Sequence, residues 1–298
     1  MDATLEEALD VLSAGYDGLQ PIGGGLMASV FRAVDRATGR AVAVKVLDPM
    51  VASRLAHDRF VREVELCRRV EHPGCVPIVA VGDAGGLPYY VMPFFAESLS
   101  DRLGRVGILP LADALAITRD VAEVLALAHS LEVVHRDIKP ANILMAPDRA
   151  VVADFGIAKA VCEACGPGLT LPGVMMGTPA YMSPEQAFGA EIADPRTDVY
   201  SLGWVLFEML VGSPPDSSRQ RSSLRIRLPR TSSGGRAGRR VERLLGRMLR
   251  WEPTERPSAA AVLRELERLA PIPAEPQGGA WWRHLRWLPT RLASLVRR

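Results

Sequence analysis

The stretch His135-Arg136-Asp137-Ile138-Lys139-Pro140-Ala141-Asn142 constrains this chain more than any other. Five polar or charged side chains stand at fixed offsets between apolar runs. A second apolar run, Val151-Val152-Ala153, ends in Asp154-Phe155-Gly156. Asp-Phe-Gly in isolation is common by chance; following the first motif at short range, it is not. Residues 133–154 are read as a loop flanked by two short strands.

The surrounding pattern divides the chain. Thr4 and Glu7 have the spacing of a capping box, and Leu5, Ala8, Leu9 and Leu12 recur at helical intervals, so a short helix is expected up to Gly15. Short β-type runs follow at 19–22, 30–34 and 41–47, then a helical stretch at 54–70 ending before His72-Pro73, then strands at 76–81 and 89–92. After Phe94 the signals become helical: 111–130, the almost wholly apolar 199–210, and the amphipathic 241–249 and 258–269. A β-rich lobe before a larger helical lobe is an α+β, two-lobed fold. The expected organisation is a helical extension over 1–15, one domain over 16–270 divided at 93/94, and a Pro-rich linker with a basic tail over 271–298.

Composition limits what this fold can serve. Hydrophobic residues are 48% of 298, enough for a sizeable core and too many for a disordered chain. A formal net charge of +2 argues against a general polyanion binder, so no nucleic acid is expected. Four cysteines are too few for a disulfide framework. The acidic first ten residues do not read as a signal peptide, and no eighteen-residue apolar run is present, so the expected location is the cytoplasm.

Three further features bear on chemistry. Ile22-Gly23-Gly24-Gly25-Leu26-Met27-Ala28-Ser29-Val30 lets backbone N–H groups approach an anion, although a glycine-rich hairpin turn fits equally. Lys45 ends an apolar strand and needs an anion, either a phosphate or a carboxylate. Glu63 offers the carboxylate, or is a solvated helix residue.

Taken in this order, the motifs resemble the eukaryotic-like serine/threonine protein kinases of bacteria. The resemblance covers about residues 16–270. It continues through Gly177-Thr178-Pro179-Ala180-Tyr181-Met182-Ser183-Pro184-Glu185, where Ser-Pro-Glu replaces the commoner Ala-Pro-Glu, and through Asp198 and Arg256. Asp198 resembles the buried aspartate that anchors the catalytic loop, and Arg256 the partner of Glu185.

The resemblance implies ATP and Mg²⁺ as cofactors and protein Ser/Thr hydroxyls as acceptors. Ile22 would contact the nucleotide, and Gly23, Gly24, Gly25 and the residues on to Val30 would cover the phosphates. Val30 and Ala43 would sandwich adenine, with Met92 as gatekeeper. The Pro93 carbonyl and Phe95 N–H would read the base edge. Lys45, oriented by Glu63, would hold the α- and β-phosphates. Asp137 would accept or orient the acceptor hydroxyl, Lys139 would stabilise the γ-phosphate, and Asn142 and Asp154 would bind Mg²⁺. Arg136, Thr170 and Thr178 are the regulatory positions, with autophosphorylation at Thr170 paired by Arg136. A non-catalytic scaffold of this fold would lack Lys45, Asp137 or Asp154. A small-molecule phosphotransferase would lack residues 177–185, Asp198 and Arg256. All are present.

Two basic segments remain. Residues 217–240 hold eight arginines and no acid, which reads as a solvated loop or a dock for an acidic partner. In the tail, Trp281, Leu285, Leu288, Leu292 and Leu295 share a helical face opposite Arg283, Arg286, Arg291, Arg297 and Arg298, interrupted by Pro289. That pattern suits an anionic membrane surface, or packing on protein. Cys162 and Cys165 have metal-like spacing but lack a second close pair.

Overall fold

The computed structural model describes residues 3–25, 28–52, 64, 65, 68–155, 180–188, 194–214 and 235–269. The expectations for Glu63, Thr170, Thr178, Cys162 and Cys165, most of the 54–70 helix and the tail fall outside these residues. The chain divides into two compact units, which part between Ala96 and Glu97.

The first unit is a five-stranded antiparallel sheet in the order β1-β2-β3-β5-β4. Its strands are β1 (Tyr16–Gly24), β2 (Ala28–Asp35), β3 (Arg40–Leu47), β4 (Ala80–Ala84) and β5 (Leu87–Pro93). Central β3 is paired on both sides and is buried over most of its length, as its Val-Ala-Val-Lys-Val-Leu run requires. Direct cross-strand partners share a face. Phe31, Val44 and Val91 therefore point one way, with Ala33, Val42 and Val46 beside them. That face packs against Ala8 and Leu12 of helix α1 (Ala3–Ser13). Thr4 lies inside α1, so it is not the cap that its spacing with Glu7 predicts.

One strand is displaced from its expected position. The apolar run at 76–81 suggests a strand there, but pairing begins only at Ala80. Pro77 lies within the expected run and has no N–H to give a ladder. Helix α2 (Pro49–Ala52) follows β3 directly.

The second unit is mainly helical. It contains α3 (Leu99–Val106), α4 (Leu111–Ser130), the ribbon β6 (Ile143–Met145) and β7 (Ala150–Val152), α5 (Pro184–Ala187), α6 (Arg196–Val211), α7 (Gly235–Met248) and α8 (Ala259–Glu267). Helix α3 has a full capping box. The Ser98 hydroxyl accepts from Asp101 N–H at 3.1 Å, and the Asp101 carboxylate accepts from Ser98 N–H at 2.9 Å. Helix α6 is buried on almost every side, as its almost wholly apolar 199–210 stretch requires, and it packs against α4 and α7. A Cβ at Gly203 would stand 3.0 Å from a Leu249 methyl and 3.1 Å from Met248 Cβ, so glycine is what admits α7 this closely. α6 ends at Gly212 in the left-handed conformation, φ 82°, with its N–H bonded to Glu208 O.

Candidate functional site

In the first unit, the sheet register gathers the proposed nucleotide residues. Val30, Lys45 and Tyr90 form one cross-strand row. Arg32, Ala43 and Met92 form the row two residues on, and so point to the same side. This face lies opposite the α1 core. Val30, Ala43, Lys45 and Met92, dispersed over three strands, thus form one surface. The Lys45 ammonium stands 5.7 Å from the Tyr90 ring centroid, a cation–π distance. Nothing in the sequence marks Tyr90; only the register makes it Lys45's neighbour.

The glycine loop runs out from this face. Gly23 pairs with Val30 and Gly24 with Ser29, and Gly25 N–H donates to Ala28 O at 2.9 Å. A Cβ on Gly24 would meet Ala28 O at 3.2 Å, whereas Gly23 and Gly25 face open space. Gly24 therefore serves the turn, and its two neighbours leave the backbone uncovered. Ile22 is half exposed, Pro93 pairs with Val42, and Phe94 N–H donates to Ala41 O at 3.3 Å.

In the second unit, the polar loop of residues 135–142 is organised by one buried carboxylate. Asp198, in the first turn of α6, is fully buried. Its Oδ2 accepts from His135 N–H at 2.8 Å and lies 2.9 Å from the His129 Nε2, and its Oδ1 accepts from Arg136 N–H at 2.7 Å. Burial alone would raise this carboxyl; the His129 hydrogen bond, the nearby imidazoles and the His135 N–H outweigh it and hold it low. Arg136 is forced into the left-handed region, φ 69°. Such backbone persists in a non-glycine residue only where the surroundings over-determine it. Here Asp198 holds the Arg136 N–H, and the Gln186 amide of α5 donates to Arg136 O at 2.7 Å.

Beyond Arg136, the loop presents its functional groups. Lys139 Nζ donates to Asp137 Oδ2 at 2.7 Å. Asn142 Nδ2 donates to Asp137 O at 2.8 Å and to Asp137 Oδ2 at 3.0 Å. Both amide hydrogens of Asn142 are therefore committed, which fixes its Oδ1 on the opposite branch. Asp137 Oδ2 receives two donors and its Oδ1 receives none among the described residues.

The β6–β7 ribbon brings Asp154 to the same end. Ile143 pairs with Val152, and Ala153 N–H donates to Asn142 O at 2.9 Å, so Asn142 and Asp154 both lie at the ribbon's open end. His135 ties the polar loop to the end of β7. Its Nδ1 accepts from Asp137 N–H at 3.2 Å, which makes Nε2 the protonated nitrogen that donates to Ala153 O at 2.8 Å. Phe155 stacks edge-on against this ring, with centroids 4.6 Å apart. Asp154 has φ 64°, a second strained residue at the site. The Asn142 oxygen and the Asp154 carboxylate are hard oxygen donors, and they fit Mg²⁺.

A second buried cluster lies below. Arg256 uses all five N–H groups. Nη1 and Nη2 bond the two oxygens of Glu185 at 2.6 and 2.8 Å, and the rest reach Arg250 O, Trp251 O and Arg196 O. Its guanidinium lies over Tyr200 at 4.8 Å. Thr197 Oγ1 donates to Glu185 Oε1 at 2.7 Å. The expected Glu185–Arg256 pair is therefore formed. His129, Gln186 and Thr197 are missed by sequence reasoning. Each lies far along the chain from its partner, and no local spacing signals the contact.

The protein kinase domain family model matches residues 16–266. The serine/threonine-protein kinase pkn2 of Myxococcus xanthus is 39% identical over 211 residues, which are 69% of this chain and 25% of that protein. The serine/threonine-protein kinase PknB of Mycobacterium leprae is 40% identical over 215 residues, 68% of this chain and 33% of that protein. The DNA damage-responsive serine/threonine-protein kinase RqkA of Deinococcus radiodurans is 39% identical over 211 residues, 69% of this chain and 31% of that protein. The chain spans about a quarter to a third of the length of these relatives. It belongs to the protein kinase family, and the relatives it resembles are bacterial serine/threonine kinases.

Proposed function

We propose that this chain transfers the γ-phosphoryl group of ATP to serine and threonine hydroxyls of proteins. The observation that carries this reading is the Asp198-anchored loop, which holds the Asp137 carboxylate between Lys139 and Asn142. Phosphoryl transfer is chiefly a problem of positioning and charge neutralisation. With Oδ2 occupied by two donors, Asp137 Oδ1 is the oxygen that takes the hydrogen bond from the acceptor hydroxyl and orients it for attack. Lys139 exchanges its contact with Asp137 for the transferring phosphoryl group. Asn142 and Asp154 would hold Mg²⁺, which would supply neutralisation of phosphate charge. Lys45 pairs with the nucleotide phosphates and Glu63 orients it. Ile22 contacts the nucleotide, and Gly23, Gly24, Gly25 and the residues on to Val30 cover the phosphates. Val30, Ala43 and Met92 pack on adenine, whose edge is read by backbone groups of Pro93 and Phe95.

The test is transfer of label from γ-labelled ATP to a generic protein acceptor, with Asp154→Ala as control. Label on acceptor serine or threonine with wild type and none with Asp154→Ala supports the reading. Equal labelling by both proteins overturns the assignment of Asp154.

Regulation is proposed at Arg136, Thr170 and Thr178. A phosphate on Thr170 adds nearly two negative charges, which Arg136 can pair. Mass spectrometry of the active protein is expected to find phosphothreonine at 170. An unmodified Thr170, with full activity in Thr170→Ala, contradicts this. The 280–298 tail is proposed to attach the chain peripherally to an anionic membrane from the cytoplasmic side.

A further inference from the structure

The inner face of α7 is apolar: Val241, Leu244, Leu245 and Met248 are buried, as is Leu249 just beyond the helix. Its outer face is a stripe of arginines. Arg240, Arg243, Arg247 and Arg250 follow at intervals of three, four and three, and so line one side of the helix and its exit. All four are exposed. They form one wall of a groove of about 870 Å³, and exposed Arg268, beyond α8, stands on the other. The single carboxylate in the lining is Glu265, and it is already bound to Arg247. Five arginines against one glutamate give the groove a net +4, more than the whole chain's +2. At one end lies Trp251, 51% exposed, with the ring of Phe188, 78% exposed, 6.1 Å away.

We propose that this groove docks an acidic protein segment: an extended run of Asp and Glu side chains carrying one apolar residue. Arginine forks match carboxylates in paired hydrogen bonds, and a concave basic wall concentrates the attraction. From Arg240 to Arg250 the stripe spans about 15 Å, the reach of about four or five residues of extended chain. The Trp251–Phe188 pair receives the apolar residue. The chain's own tail is excluded as the occupant by charge, since no acid follows Glu275. A flat anionic bilayer matches a concave groove poorly. That a docked segment belongs to a phosphorylation substrate rests on the kinase reading above; the binding itself does not.

The experiment measures binding by fluorescence anisotropy on the full chain, with the probe a labelled peptide of alternating glutamates around one leucine. Its lysine-for-glutamate counterpart is the control. The acidic peptide is expected to bind and to weaken with added salt. Arg240→Ala/Arg243→Ala/Arg268→Ala is expected to bind at least fivefold more weakly, while the triple lysine replacement stays within about twofold, since charge is retained. Asp154→Ala is expected to bind like wild type, so loss of catalysis and loss of docking read separately. A wild-type chain that does not bind the acidic peptide, or a triple-alanine variant weakened less than fivefold, overturns the proposal. If wild type ignores the peptide yet binds anionic vesicles or duplex DNA through these arginines, the face is a lipid or nucleic-acid surface instead.

Discussion

Glu185 and Arg256 show what a single buried pair does for this chain. Arg256 is almost fully buried, and Glu185 answers it with both oxygens. Burial would raise the Glu185 carboxyl, but the hydrogen bonds from Arg256 and Thr197 outweigh it and hold it below its ordinary 4.5. Such a carboxyl adds stability that is complete above its unfolded value and is lost as pH falls through the folded one. Glu185→Gln leaves a buried guanidinium without its counter-charge, a loss of about 3 kcal/mol. Urea denaturation is expected to show that loss at neutral pH. The gap to wild type should narrow below pH 4.5, as Glu185 in wild type takes up its proton. A gap that stays constant into acid contradicts the pairing account. The residues of this pair were legible in the sequence by resemblance. Thr197 was not, because a hydroxyl that completes a buried network carries no spacing signature of its own.

Helix α1 is the element whose packing the sequence conveyed least. Its Ala8-to-Leu12 periodicity was readable, but not the surface it covers. The family match begins only at residue 16, yet Ala8 and Leu12 close the core face of the sheet. α1 is thus part of the first unit's core. Leu12→Ala is expected to cost about 2 to 5 kcal/mol by chemical denaturation, the range for a leucine removed from a packed core. A change under about 0.5 kcal/mol, ordinary for a surface substitution, contradicts that placement. Strands were legible where β-branched residues alternate or run on, as in β3, and misplaced where proline interrupts, as at Pro77 before β4. Helix α3 is short and half polar, so apolar periodicity does not reveal it; its Ser98-to-Asp101 capping box is the signal that does.

At the scale of the whole molecule, two composition shifts were legible: a β-rich first unit and a helical second one. The gathering of Val30, Ala43, Lys45 and Met92 on one sheet face is implied by the resemblance alone; composition and periodicity do not show it, since it depends on register across three strands. Under the proposed membrane attachment, the tail's five arginines would contribute about 1 kcal/mol each at an anionic surface, enough for reversible binding. Full-length chain is expected to co-sediment with anionic vesicles at low salt, and a 1–274 truncation is not; equal behaviour of the two rejects membrane targeting. In the proposed mechanism Asp137, held by Lys139 and Asn142, orients the acceptor hydroxyl. Asp137→Asn turns a two-donor acceptor into an amide while leaving Asp198 and the loop's backbone anchors intact. The most direct measurement is the rate of label transfer from γ-labelled ATP to a protein acceptor by wild type and Asp137→Asn, with circular dichroism of both. The fold is expected to be unchanged and the rate lowered on the order of 10²- to 10⁴-fold, the range of positioned proton acceptors; an Asp137→Asn rate within twofold of wild type contradicts this role for Asp137.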